Sequence, residues 1–308
     1  MNDFIARILE INRNPKLNDW FMETLAELVS YGLYQNSATD ITAKLTSELA
    51  KYRIANNIDK VVVGMSGGID SAVTAALYHR AGWEVEGVLM PINQKEEETK
   101  RGIEVCKSLG IKHRIRVLDS EFAFLLERMA KSHGGLAENK IRQGNIRARL
   151  RMMTLYDLAA EAGGLVASTD NFSELAAGFW TLHGDVGDLA PIQSLTKSWE
   201  VPILGEHLQI PKSVLTAVPT DGLGISNSDE EQFGFSYLEF DIALFKLMGG
   251  GVDMTELDES TQRIIKDVAR RVRQTAHKRS NPHNLQHPWD YGRYEMLQAL
   301  DNYLKKEI

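Results

Sequence analysis

The stretch Gly64-Met65-Ser66-Gly67-Gly68-Ile69-Asp70-Ser71 concentrates the residue types most suited to chemistry in this 308-residue chain. Gly67 and Gly68 permit backbone conformations closed to other residues and let the main chain approach a ligand. Their N–H groups can form an anion-binding nest. A helix beginning near Asp70 points its positive end at the same place. The hydroxyls of Ser66 and Ser71 add donors for phosphate oxygens. The pattern is not GxxxxGK[ST], because no Lys follows the glycines, and it is not GxGxxG. Asp70 puts a carboxylate where phosphate is expected, and the two repel unless a cation bridges them. Mg²⁺ held by hard oxygen ligands is therefore expected beside Asp70. The plainer alternative is a glycine turn with Asp70 as a helix-capping residue. The Val61-Val62-Val63 run before the loop and the flanking serines favour phosphate.

A second polar cluster, Thr169-Asp170-Asn171-Phe172-Ser173-Glu174, follows another short apolar run, although Ser173-Glu174 alone can simply start a helix. Further on come Gly178-Phe179-Trp180-Thr181, Gly184-Asp185-Val186-Gly187-Asp188, Leu195-Thr196-Lys197, Pro219-Thr220 and His277-Lys278-Arg279. Asn145-Ile146-Arg147-Ala148-Arg149-Leu150-Arg151 is a basic helical stretch that can equally be a solvated face. Lys197 in isolation is an ordinary surface residue. His277 suits a helix C-terminus on electrostatic grounds alone.

These residues need elements to hold them. Residues 1 to about 56 show helical apolar periodicity through Phe21, Leu25, Leu28 and Leu33. Strands are expected at Val61–Val63, Val85–Met90, Arg114–Leu118 and Leu165–Ser168. Helices are expected from Asp70 to Arg80, about Glu96 to Leu109, near Glu121 to Lys131 and from Asn139 to Ala162. Such alternation implies a parallel sheet covered on both faces, and such sheets bind ligands at the carboxyl ends of their strands. Both polar clusters sit directly after a strand. Residues 178–228 read as loops and short helices, and the chain turns helical again from Tyr237. Cys106 shares helical spacing with Ile103 and Leu109 and reads as core.

The SGGxDS loop after a Val-rich strand resembles the pyrophosphate loop of the N-type ATP pyrophosphatases, which cleave ATP between its α and β phosphates. The later segments, in the same order, resemble the NAD synthetase family in its ammonia-dependent form: TDNxSE, then G-[FY]-x-T with GD, L-[TS]-K, P-T, DE…LG…Y…D at Asp229-Glu230 through Tyr237 to Asp241, and HKR with Pro282. The likeness runs from about Val61 to Pro282. It implies an α/β fold, a parallel twisted sheet with helices on both faces that is adenine nucleotide α-hydrolase-like and Rossmann-like, with added N- and C-terminal helices. It implies three parts: a helical extension at 1–56, the catalytic domain at 57–284 and a helical tail at 285–308 that includes Trp289, Tyr291, Tyr294 and Leu300.

The resemblance also implies roles. Ser66, Gly67, Gly68 and Ser71 would hold ATP phosphates; Asp70 and Glu174 would bind Mg²⁺. Thr169, Lys197 and Thr220 would contact ATP, with Asp70 and Lys197 the catalytic pair. Arg149, Asp188, His277 and Lys278 would contact deamido-NAD. The implied reaction joins ammonia to the nicotinate carboxylate through an acyl adenylate, giving NAD, AMP and pyrophosphate, in a homodimer. Asp185 and Asp188 are candidates to deprotonate ammonium. The chain departs from the family at Asp221-Gly222 after Pro-Thr, and at Leu182-His183, where some members carry a Lys.

Composition sets outer limits. Hydrophobic residues at 43% and charged residues at 25% suit a globular enzyme. The formal charge of −7 favours a small anionic ligand over a nucleic acid. No secretory signal and no membrane span stand out, so a cytoplasmic location is expected. One cysteine allows no intramolecular disulfide, and no amidase nucleophile precedes the loop. Free ammonia is the expected donor, with a separate glutaminase partner left open. Two rival readings remain: another N-type ATP pyrophosphatase adenylating a different carboxylate or a tRNA base, and a nucleotide-binding protein without catalysis.

Overall fold

The computed structural model describes residues 2–31, 37–132, 134–136, 139–217 and 229–279. Three helices come first, α1 (Asn2–Ile11), α2 (Asp19–Ser30) and α3 (Ala38–Asn56), and lead into β1 (Lys60–Gly64). Then follow α4 (Ile69–Arg80), β2 (Glu84–Leu89), α5 (Glu96–Leu109), β3 (Lys112–Ile115), α6 (Asp119–Ser132), α7 (Lys140–Ala162) and β4 (Leu165–Val166). The remainder is helical: α8 (Phe172–Ala177), α9 (Glu200–His207), α10 (Lys212–Leu215), α11 (Asp229–Phe233), α12 (Tyr237–Met248), α13 (Glu259–Gln274) and α14 (Ala276–Arg279).

The strands form a four-stranded sheet in the order β3-β2-β1-β4, and each pairing is parallel. Side chains alternate across the sheet, as strand geometry requires. Val61 and Val63 enter a core with Val73, Leu77 and Tyr78 of α4 and Val105 and Cys106 of α5. Val62 and Val88 face the opposite way, onto Phe122 of α6 and Leu150, Leu155 and Leu158 of α7. A third core is wholly helical. It joins Ile8 of α1 and Phe21, Leu25 and Leu28 of α2 to α12 and α13. The amino-terminal helices are thus packed into the molecule.

The third strand differs from its expected span of Arg114–Leu118 and runs from Lys112 to Ile115. It is an edge strand, so its polar residues need no apolar neighbours. The apolar signal at Leu118 instead belongs to the buried floor beneath α6. Thr220, Asp221, Gly222 and residues 285–308 lie outside the described residues. Among the described residues, no helix is long and apolar enough to cross a membrane.

Candidate active site

The loop after β1 turns sharply into α4. Gly67 adopts φ +84, a left-handed conformation that costs other residues energy. A Cβ on Gly67 would also run into the carbonyl oxygen of Glu98 on α5. Arg101 of α5 donates through Nε to the Gly67 carbonyl at 3.1 Å. Gly68 is the N-cap of α4 and has no side chain to spend on capping. Its N–H donates to Ser66 Oγ at 3.2 Å, and Ser66 Oγ lies 3.2 Å from Ser71 Oγ. Hydroxyls and the helix N-terminus therefore converge on one side of the turn, an arrangement that attracts anions.

Asp70 sits in the first turn of α4 and meets two elements from far along the chain. Asn171 Nδ2 donates to Asp70 Oδ1 at 3.0 Å. Lys197 Nζ pairs with Asp70 Oδ2 and with Glu174 Oε1 at 3.2 Å. All three charged side chains are largely buried, at 10% to 17% exposed. A buried like-charged pair is costly unless compensated, and here the lysine ammonium compensates both carboxylates. Glu174 is fixed by local structure as well. It and Asn171 form a capping box at the start of α8, so the helix-start reading and the site reading both hold.

Asp241, which closes the DE…LG…Y…D segment of the family pattern and carries no implied role there, holds this group in place. Asp241 on α12 is fully buried, at 0% exposed. Ser173 Oγ donates to its Oδ1 at 2.6 Å, and Ser198 Oγ donates to its Oδ2 at 2.5 Å. Ser173 Oγ in turn accepts from the Lys197 N–H at 2.9 Å. Asp241 thereby ties the neighbour of Glu174 to the neighbour of Lys197. Burial pushes its carboxyl up to about 7, against the lowering effect of the serine hydroxyls. The motif that contains Asp241 does not show this role, because its partners lie 43 and 68 residues away.

A cleft of about 580 Å³ opens from this group. Ser66, Gly68, Asp70, Ser71, Thr169, Glu174 and Lys197 line it, as do Asp185 and Lys278. Gly67 does not line it; it shapes the turn. Asp185 accepts from the Thr181 N–H, and burial pushes its carboxyl upward. Lys278 donates to the Gly178 carbonyl at 2.6 Å, and burial pulls its ammonium downward. Arg151 of α7 also reaches the cleft, with Nε on the Met90 carbonyl at 3.1 Å.

Arg149, Asp188 and His277 are not in the lining. Arg149 is exposed and donates to the Leu182 carbonyl at 3.2 Å. Asp188 accepts from Tyr156 Oη at 2.9 Å and from the Val166 N–H at 2.8 Å, pinning the end of β4. His277 is exposed, with Nδ1 3.1 Å from the Gln274 carbonyl oxygen.

A glycine turn with hydroxyls and a helix N-terminus at the carboxyl edge of a parallel sheet, faced by paired carboxylates and a lysine, suits a nucleotide-processing enzyme of the α/β class. Residues 40–282 match the family model for NAD synthase, and the chain belongs to that family. An NH(3)-dependent NAD(+) synthetase of Alkaliphilus metalliredigens is 43% identical over 184 residues, which is 58% of this chain and 74% of the relative. An NMN synthetase structure from Francisella tularensis aligns with a TM-score of 0.72 at 28% identity, over 82% of this chain and 100% of its own. An NH3-dependent NAD synthetase structure from Campylobacter jejuni aligns with a TM-score of 0.65 at 29% identity, again over 82% and 100%.

Proposed function

We infer that the chain catalyses the ATP-dependent amidation of deamido-NAD by ammonia, yielding NAD, AMP and pyrophosphate. The observation that carries the reading is the convergence of Asp70, Glu174 and Lys197 on one point beside the phosphate loop. A carboxylate does not react with ammonia at neutral pH, because its leaving group would be oxide. Attack of a carboxylate oxygen on the α-phosphorus breaks the bond to pyrophosphate and makes an acyl adenylate. Attack of ammonia on the acyl carbon then expels AMP. The protein's part is positioning and charge stabilisation. Gly68 and the Ser66 and Ser71 hydroxyls hold phosphate oxygens. Lys197 supplies positive charge where pyrophosphate departs. Asp185 is better placed than Asp188 to take a proton from the attacking nitrogen, since it faces the cleft and burial raises its affinity for a proton.

Asp70 and Glu174 suit Mg²⁺. Both reach a single ammonium, so both can reach a single ion, and hard oxygen ligands are what that ion prefers. Bound there, it would neutralise charge on the phosphates. Arg149 and Lys278 would hold the dinucleotide, Arg149 by the fork geometry that suits phosphate or carboxylate.

A homodimer built on α6 and α7 belongs to the same proposal. Phe124 at 61% exposed, Ile141 at 62% and Met153 at 64% are large apolar side chains left open to solvent on these helices. Arg149, Met153 and Tyr156 are spaced to share one face of α7. That face would place the dinucleotide-binding end against the second copy.

The test is to incubate the protein with ATP, Mg²⁺, deamido-NAD and ammonium while following NAD, AMP and pyrophosphate together. Stoichiometric formation of all three, lost in Asp70→Ala, is the expected result. Nicotinate mononucleotide is run in parallel, because the Francisella structure is of an NMN synthetase. Faster turnover of the mononucleotide would overturn the substrate assignment while keeping the chemistry.

A further inference from the structure

Residues before position 40 precede the stretch matched to the family. Nevertheless Ile11, Asn12 and Arg13 line the same cleft as Asp70, Glu174 and Lys197. They form the turn that ends α1. Arg13 and Asn14 adopt φ of 63 and 51, a region that side chains rarely enter. The turn is closed by the Arg13 N–H on the Glu10 carbonyl at 2.9 Å and the Asn14 N–H on the Leu9 carbonyl at 2.7 Å. Ile8, at 0% exposed, anchors the helix in the same core as Trp199.

Asn12 is the residue this turn delivers. Its Nδ2 donates to the Ile8 carbonyl at 2.8 Å and to the Ser198 carbonyl at 2.7 Å. Ser198 follows Lys197 directly, and its own N–H and hydroxyl bond to Asp241 from the other side. Ser198 is thus held from two sides, α1 taking the carbonyl of its peptide to Trp199 and α12 taking the N–H of its peptide from Lys197. A lysine has a long flexible stem, so the position of its ammonium depends on a fixed starting point in the backbone. Misplacing a reacting group by about 1 Å can cost ~100-fold in rate.

We propose that Asn12 is a positioning residue for Lys197, and that the amino-terminal turn is a working part of the active site. The inference rests on the role given to Lys197 above. Asn12 touches no reacting atom. It acts by holding Ser198, and through it the adjoining Lys197, where the ammonium meets both Asp70 and Glu174.

The experiment compares Asn12→Ala, Asn12→Asp and Arg7→Ala with the unaltered full chain, measuring kcat, KM for ATP and melting temperature. Arg7, elsewhere on α1, pairs with Glu206 of α9 and serves as the control for docking of the helix alone. A loss of kcat of about tenfold at unchanged KM is expected in both Asn12 variants, short of the ~100-fold cost of a misplacement of about 1 Å. Arg7→Ala should keep its kcat. Asn12→Asp has the shape of asparagine without the donor, so it carries the test should Asn12→Ala fail to fold. Full kcat in a folded Asn12 variant would overturn the proposal. So would a rise in KM with kcat intact, or an equal loss of kcat in Arg7→Ala. An unaltered chain that makes no NAD sinks the functional reading instead, which keeps the two failures distinct.

Discussion

The phosphate end and the proposed dinucleotide end of this molecule are built in opposite ways. At the phosphate end, Asp70, Glu174 and Lys197 are largely buried and held from behind by Asn171 and Asp241. At the other end, Arg149 and His277 are exposed on α7 and α14, and Asp188 spends its oxygens on Tyr156 and Val166. Groups meant to meet developing charge benefit from being fixed before substrate arrives. Groups that only need to grip a large ligand can be ordered by it. Met153, 64% exposed, lies one helical turn from Arg149 on α7, and the proposed second copy would cover that face.

The sharpest way to break the comparison is Lys197→Ala. Removing it leaves two buried carboxylates uncompensated and, on the proposed reading, takes away the charge facing the departing pyrophosphate. We expect kcat for NAD formation to fall on the order of 10²- to 10³-fold, as when one preorganised stabilising group is lost. A smaller KM effect should accompany it. A kcat within a few-fold of the unaltered chain would mean that the built end is structural and not catalytic.

Asp241 tests whether the fixed end carries a measurable cost. Its carboxyl titrates near 7 in the folded protein against an ordinary 3.8. The folded state therefore holds a proton that the unfolded chain has released between those values. The stability this contributes is fully present below about 3.8 and is lost as pH rises through about 7. Across that window the slope should approach about 1.4 kcal/mol per pH unit. Asp241→Asn removes the titration, so the difference in urea stability between the two proteins should vary from pH 4.5 to 8. A constant difference would show that burial does not perturb this group.

How much of this was legible in the sequence follows the same division. The Gly64–Ser71 loop could be read because its chemistry is contiguous: glycines, serines and carboxylate sit within eight residues directly after a strand, and local backbone demands fix their types. The β-α alternation was legible because buried parallel strands need apolar runs. Edge strand β3 was misplaced for the converse reason, since its side chains are mostly exposed. Asn12 and Arg101 could not be read, and Asp241 could be read only as a motif position and not as a tie to Ser173 and Ser198, since each acts through a contact at least 34 residues distant. Nothing in the flanks of Asn12 and Arg101 distinguishes them from capping or surface residues.

At the open end, Arg149→Ala should raise the KM for deamido-NAD about tenfold, the order expected for one charge-assisted contact. The KM for ATP should stay unchanged, because Arg149 lies outside the cleft lining. Equal shifts in both constants would join the two ends into a single site and erase the distinction.

The smallest effect belongs to Tyr156→Phe. Tyr156 donates to Asp188, whose second oxygen holds the Val166 N–H at the end of β4. Losing the hydroxyl leaves Asp188 exposed to water, which can replace the lost donor. Stability should drop by only about 0.5–1.5 kcal/mol, the net value of an ordinary hydrogen bond, as read by urea unfolding at neutral pH. kcat should not move, because Asp188 on this reading anchors the strand that carries Thr169 and does not touch the reacting atoms. A tenfold fall in kcat with stability intact would reassign Asp188 to the chemistry. The end that looks open would then prove as preorganised as the phosphate loop.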